Sequence, residues 1–358
     1  MKTKKLHIIS FDIPYPANYG GIIDVFYKIK ALHQIGVEIT LHCFQYGGKE
    51  QQAALLNYCK EVFYYPRNTF MNPFLGKLPY IVKTRNSRTL FERIQADNNP
   101  ILFEGLHSCY WLNDLIVDSR ITLVRNHNIE GDYYNHLARV EQNPIKRRYF
   151  IREAKLLNAF EPIIAKATKA LAISPSDHDL LNARYGNSEY LPVFHSNSHV
   201  VINQNKEPFC LYHGNLSVGE NDEAACYLVE HVFNHLPYKL VLAGNNPSER
   251  LKGLVNENGR CELKSKLSVK EIDELIGKAF LNVLPTFQAT GIKLKLLNAL
   301  HRGGHCLVNN EMVEETGLES LCFIANSAVE MKDCIAKLFN SQIEVDYGAR
   351  REILASFN

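Results

Sequence analysis

No two of the nine cysteines stand in a Cys-x-x-Cys spacing, and most sit inside apolar runs such as "LHCFQY" and "PFCLYHG". An odd number of scattered, apolar-flanked thiols argues against a zinc ribbon or a disulfide framework and is the pattern of reduced cysteines in a cytosolic protein. Long apolar runs are missing as well. None approaches the roughly 18 residues that cross a bilayer, and the opening "MKTKKLHIISFD" reaches Asp12 too soon for a secretory signal. Nor is there an excess of one charge. With 40 lysines and arginines against 38 aspartates and glutamates, the net charge is +2, which makes no global case for nucleic acid as a partner. The chain is expected in the cytoplasm, at most peripheral at the inner face of a membrane.

What is present is an ordinary globular balance, 46% apolar and 22% charged residues over 358 positions, long enough for two hydrophobic cores. Short β-branched runs ("KLHIISF", "VEITLHCF", "EVFYYP", "PILFEGL", "ITLVRNH", "ATKALAIS") alternate with helical patterns at 21–35, 87–97 and 144–166. A polar, aperiodic stretch follows, and the alternation restarts with "PFCLYHG", "YKLVLAG", "CELKSKL", "FLNVLPT", "HCLVNN" and "LCFIAN", separated by helical patterns at 221–236, 246–257, 268–279, 291–302 and 327–340. Strands apolar on both faces and joined by helices form parallel sheets. The expected architecture is α/β, with two doubly wound Rossmann-like domains, 1–195 and 208–358, a linker at 196–207 and an interdomain cleft facing the carboxyl ends of both sheets.

Candidate chemistry follows from strand ends. Gly20 and Gly21 open the first helix, where bare amides approach a phosphate or sugar. The GxGxxG spacing of a dinucleotide fold is absent there, which argues against a nicotinamide enzyme. His107 in "FEGLHSCYW" and His127 and Glu130 in "VRNHNIEGDYY" end strands, where side chains meet ligands in such folds. They are the candidate catalytic groups. Asp177 and Asp179 form a DxD in "SPSDHDLL", but Ser174 or Ser176 before them reads as a helix cap, with acids suited to the first turn. No metal is expected. In "PTFQATGIKLKLLNALHRGG" two lysines fall in what reads as the first turn of a helix from 291, against its dipole. An anionic ligand at that end makes the placement tolerable. As the two are about 200° apart on a helical wheel, only one is expected to face the ligand, and Lys293 is assigned that role.

The segments "HIISFDIPYPANYGGIIDVFYKIKALHQIGVEITLHCF", "LVRNHNIEGDYYNHLARVEQNPIKRRYFIREAKLLNAFE", "ALAISPSDHDLL", "YHGNLSVGENDEAACYLVEHVF" and "GIKLKLLNALHRGGHCLV" together resemble the GT-B glycosyltransferases, in particular the retaining family-4 branch of bacterial surface polysaccharide synthesis. The resemblance implies transfer of a hexose from a nucleotide-diphosphate sugar to a glycan or lipid-linked acceptor. The leaving diphosphate would help to deprotonate the acceptor, with no metal and no cofactor beyond the donor substrate. It implies donor contacts at Gly20, Gly21, Gly214, Asn215, Thr290, Gly291, Lys293 and Asn298, with His107 orienting the sugar and His127 and Glu130 on the acceptor side. The chain departs from the family pattern where two glutamates seven residues apart are usual. Thr290 and Asn298 stand there. Asn215 and Glu220 likewise stand where many relatives carry arginine and lysine, so phosphate binding falls more heavily on Lys293. The rival implied by these departures is a non-catalytic GT-B partner subunit; a sugar-nucleotide epimerase has no specific residue signal.

One further segment is set apart by composition. From Arg67 to Arg93 there are six basic residues and one acid, interleaved with Phe70, Met71, Phe74, Leu75, Leu78, Tyr80 and Ile81. This composition suits a peripheral membrane contact, and also an aromatic cluster packed beneath a long loop, since its periodicity is too irregular for a clean amphipathic helix.

Overall fold

The computed structural model describes residues 4–17, 20–45, 47–118, 120–141, 143–287, 293–314 and 316–357. The chain divides into two compact units, Met1–His195 and Ser196–Asn358.

The first unit is built on seven strands: β1 (Lys5–Ser10), β2 (Glu38–Gln45), β3 (Glu61–Pro66), β4 (Ile101–Glu104), β5 (Thr122–Asn126), β6 (Lys169–Ala172) and β7 (Ser188–Tyr190). They lie in the order β3-β2-β1-β4-β5-β6-β7, all parallel. Ile8 and Ile9 show why the strand pattern is apolar throughout. Successive side chains point to opposite faces, so Ile8 joins the cluster of Val25, Ile29 and Leu41 while Ile9 joins that of Phe103, Val124 and Leu157.

The second unit repeats the plan with six parallel strands, β8 (Glu207–His213), β9 (Lys239–Ala243), β10 (Cys261–Lys264), β11 (Ala279–Val283), β12 (His305–Val308) and β13 (Phe323–Ile324). Their order is β10-β9-β8-β11-β12-β13. Gly244, just past β9, is required by packing, because a Cβ there would meet the carbonyl oxygen of Gly214 at 2.1 Å.

Every strand expected from the sequence is present, and the helices differ mainly at their ends. The expected helix at 144–166 is α-helical over Pro144–Phe160 and tightens to a 3-10 run at Glu161–Lys166, where Pro162 lacks the amide that would continue the ladder. The pattern at 221–236 is a helix over Gly219–Tyr227 followed by a π turn at Leu228–Val232. Ser174 caps the helix Pro175–Tyr185 through the amide of Asp177, so the DxD lies in an ordinary first turn. The helix expected from 291 begins at Leu294, with Lys293 as its extended N-cap residue. Among the elements with no expectation are the strand β7, the 3-10 run Leu106–Asp118 and the helices Glu130–Val140 and Tyr347–Leu354.

Strand order reverses once in each sheet, between β1 and β4 and between β8 and β11. At such points the connections leave in opposite directions and open a crevice at the carboxyl ends. Both candidate sites lie there.

Candidate functional site

At the first reversal, Phe11 follows β1, and Gly105 and His107 follow β4. Gly105 takes φ +71°, open to glycine, and turns the chain so that the His107 ring packs tilted against Phe11, centroids 5.4 Å apart. The helix Gly20–Gln34 starts alongside. A Cβ on Gly21 would press on the Phe11 ring at 2.9 Å and come within 3.8 Å of His127 Nδ1, whereas one on Gly20 would meet no described atom. His107 Nδ1 lies 3.7 Å from Glu130 Oε1. Thus Gly20, Gly21, His107, His127 and Glu130 come together on one crevice.

The electrostatics of this pair are set by burial. Burial pushes the Glu130 carboxyl up to about 8, opposed by Arg85 and reinforced by Asp177 and Glu161. Burial, then Arg85 and His127, hold His107 well below the ordinary imidazole value. Near neutral pH both are largely uncharged, one an O–H donor and the other a free base.

Behind His127 lies an array that sequence reasoning missed. Glu104 Oε2 accepts from His127 Nε2 at 3.2 Å and from Lys28 Nζ at 3.0 Å, and Lys28 also donates to Asp24 at 2.9 Å. Arg125 grips Asp24 with two nitrogens, at 2.8 and 3.1 Å, and donates to the carbonyls of Leu191 and Pro192; Asp24 accepts from the Phe194 amide at 2.8 Å. All five side chains are buried. Burial alone would raise both carboxyls, but Arg125 and Lys28 hold Asp24 well below its usual range, and Lys28 with the His127 hydrogen bond holds Glu104 down. Among the described residues, Asp24, Glu104 and His127 are close enough to share a metal ion. Two carboxylates already face two cations there, so the array is balanced without one.

At the second reversal, the pieces are Gly214 and Asn215 after β8, the start of the helix Gly219–Tyr227, Thr286 after β11, and Lys293 and Lys295. Lys295 Nζ donates to Asn221 Oδ1 at 3.0 Å and lies 3.4 Å from the Tyr212 hydroxyl. Asn221 in turn donates to the Asn215 carbonyl at 3.0 Å and sits against Gly214. The Thr286 hydroxyl donates to Glu220. Burial pushes the Lys295 ammonium down to about 8, with Glu220 opposing and Lys293 adding; Lys293 is lowered for the same reason and is also opposed by Glu220. Both lysines therefore sit in the field of one carboxylate. The wheel argument that separated them does not apply, because Lys293 precedes the helix and its extended backbone carries it off the wheel.

Asn298 is placed differently. Its Oδ1 accepts from Asn197 Nδ2 at 2.7 Å, and Asn197 accepts from Arg302 at 2.7 Å, which ties it to the segment before β8. Thr290 and Gly291 lie outside the described residues.

No protein-family model matches the chain. A Klebsiella pneumoniae protein, described as an uncharacterized 44.6 kDa protein in the cps region, is 26% identical over 319 residues, 83% of this chain and 80% of its own. Among solved structures, a sucrose-phosphate synthase from Thermosynechococcus elongatus superposes with a TM-score of 0.71 at 15% identity, covering 99% of this chain and 95% of that one. WaaG, a glycosyltransferase involved in lipopolysaccharide biosynthesis, does so at 0.64 and 12%, covering 99% and 95%. The fold is that of the GT-B glycosyltransferases.

Proposed function

We propose that this chain is a glycosyltransferase that moves a hexose from a nucleotide-diphosphate sugar to a hydroxyl of a growing surface glycan or lipid-linked acceptor. The observation that carries the reading is the convergence of two partly buried lysines on the sheet reversal of the second unit, beside Gly214 and Asn215, in a fold shared with glycosyltransferases. Desolvated ammonium groups there favour a ligand that brings negative charge, and a leaving diphosphate is the species whose charge grows along this reaction. In this reading transfer is retaining and needs no metal, because the departing diphosphate itself accepts the acceptor proton. Glu130, 3.7 Å from His107, moves from the acceptor side to join His107 in holding sugar hydroxyls, the carboxyl donating and the imidazole accepting. His127, oriented by Glu104, lines the acceptor side.

A thermal-shift screen against nucleotide sugars tests it. A bound donor at 100 times its dissociation constant adds about 2.7 kcal/mol, a plain rise in melting temperature. A flat response to every donor would instead favour the non-catalytic subunit.

The acceptor is proposed to lie at a membrane. No helix among the described residues is long and apolar enough to span one, so contact would be peripheral. The segment from Arg67 to Arg93 exposes Phe70 fully, with Leu75 and Leu78 also outside, while Ile81 is buried. Arg85 corrects the sequence reading: it is buried, donating to the carbonyls of Phe11 and Ile81 at 3.0 and 2.5 Å, and is unavailable to lipid. The helix Pro144–Phe160 adds to the surface. Its Tyr149 packs edge-on to Phe74 and Tyr80, Arg152 donates to the Gly76 carbonyl, and Ile145, Arg147, Arg148 and Ile151 face outward. Exposed apolar side chains among cations suit an anionic headgroup layer at roughly 1 kcal/mol per charge. Co-sedimentation with anionic vesicles is expected, with loss on neutral vesicles and in a variant carrying Lys77→Glu, Lys83→Glu, Arg147→Glu and Arg148→Glu. Sedimentation with neither vesicle type, or equally with both, would leave a soluble acceptor as the better reading.

A further inference from the structure

The first turn of the helix Gly219–Tyr227 carries Glu220 where an anion-binding end is otherwise expected, and the direction of its side chain is informative. An acid in a first turn needs no special explanation when it points to solvent. Glu220 instead turns across the crevice to accept from the Thr286 hydroxyl. Thr286 is fully buried and held from both sides by Asn309, which accepts from its amide at 2.9 Å and donates to its carbonyl at 2.6 Å, so this donor is fixed in place. Lys295 is held on the adjacent residue, Asn221. His213, which ends β8, is only 4% exposed, and its Nε2 has no hydrogen-bond partner among the described residues. An orphaned polar nitrogen at the same strand end is costly to bury unless something else pairs with it. The crevice thus combines a fixed hydroxyl donor on Glu220, Lys295 held on the next residue, and an orphaned imidazole nitrogen at the end of β8.

We infer that Glu220 is an internal stand-in for a phosphoryl group: its carboxylate takes the donor and the positive field that a diphosphate would use, and must yield them when the diphosphate binds. This rests on the nucleotide-diphosphate reading above. It makes Glu220 a determinant of affinity, keeping the lysine pair neutralised when no donor is present and weakening the grip on the diphosphate left after transfer.

The test is calorimetric titration of inorganic pyrophosphate, UDP and GDP into the wild-type chain and into Glu220→Gln and Glu220→Asp. Loss of one partly screened unit charge beside a dianion is expected to tighten pyrophosphate and the better nucleotide by roughly tenfold in Glu220→Gln. Glu220→Asp, which keeps the charge, stays near the wild-type value. Adding Lys293→Ala to Glu220→Gln removes the gain. Because glutamine still accepts from Thr286, a matched melting temperature will confirm that the fold is intact. Equal or weaker affinity in Glu220→Gln, with the wild type binding measurably, overturns the stand-in alone. No binding of any probe by any of the proteins overturns the diphosphate reading as well.

Discussion

Asp24→Ala is expected to destabilise the first unit by roughly 3–5 kcal/mol, the usual cost of removing one partner from a buried ion pair. The change leaves Lys28 and Arg125 as buried cations without their shared carboxylate and takes the acceptor from the Phe194 amide. The single tryptophan of the chain, Trp111, stacks on Phe91 in this unit, so its fluorescence follows the unfolding of this unit alone. In urea the fluorescence midpoint falls by about 1 M or more at ordinary slopes, while the circular dichroism of the second unit keeps its own transition. A double variant, Asp24→Leu with Arg125→Met, recovers part of the loss, because an apolar replacement of both partners removes the unpaired charge. A shift below about 0.5 kcal/mol, the size of an ordinary surface substitution, would mean that the array is not a support of the fold.

The second large effect is on binding. Lys293→Ala and Lys295→Ala are each expected to weaken nucleoside-diphosphate binding by about 10- to 100-fold, the range for a charge-assisted contact of roughly 1.5–3 kcal/mol. Lys295 adds a pH signature. Burial holds its ammonium near 8, and the diphosphate prefers the protonated form, so affinity falls as pH rises through 8. Lys295→Ala flattens that fall. The stability of the ligand-free protein runs the other way. Between about 8 and the ordinary lysine value the unfolded chain holds the proton that the folded chain has lost, so stability rises with pH there. Lys295→Met removes this dependence and leaves the melting temperature at neutral pH unchanged or higher. Calorimetry and melting between pH 7 and 10 separate the two effects by sign. Binding that is unaffected by either substitution would remove the lysines from the donor site.

The strands were legible because a parallel strand buried on both faces has to be a short apolar run. The runs "KLHIISF" and "HCLVNN" could become nothing else once helices flanked them. The ends of those runs also marked His107, His127, Glu130 and Gly214, since a strand end is a position in sequence before it is a place in space. Other features became legible only in three dimensions. Asp24 and Lys28 are an i,i+4 pair of the sort that decorates any exposed helix, and nothing local distinguishes them from a solvated pair. They are buried because that helix lies over the reversal point, where Glu104 and Arg125 arrive from strands 76 and 101 residues beyond their partners. Arg85 likewise reads as one more surface cation in a basic segment until the fold turns it onto the Phe11 carbonyl. The lysine pair depended on whether a helix starts at 291 or at 294, a three-residue difference that decides whether Lys293 shares a helical wheel with Lys295 at all. Local pattern thus determined most of the elements and their parallel pairing. Tertiary packing decided which charges lost their water, because desolvation depends on what covers a side chain, and that cover comes from distant parts of the chain.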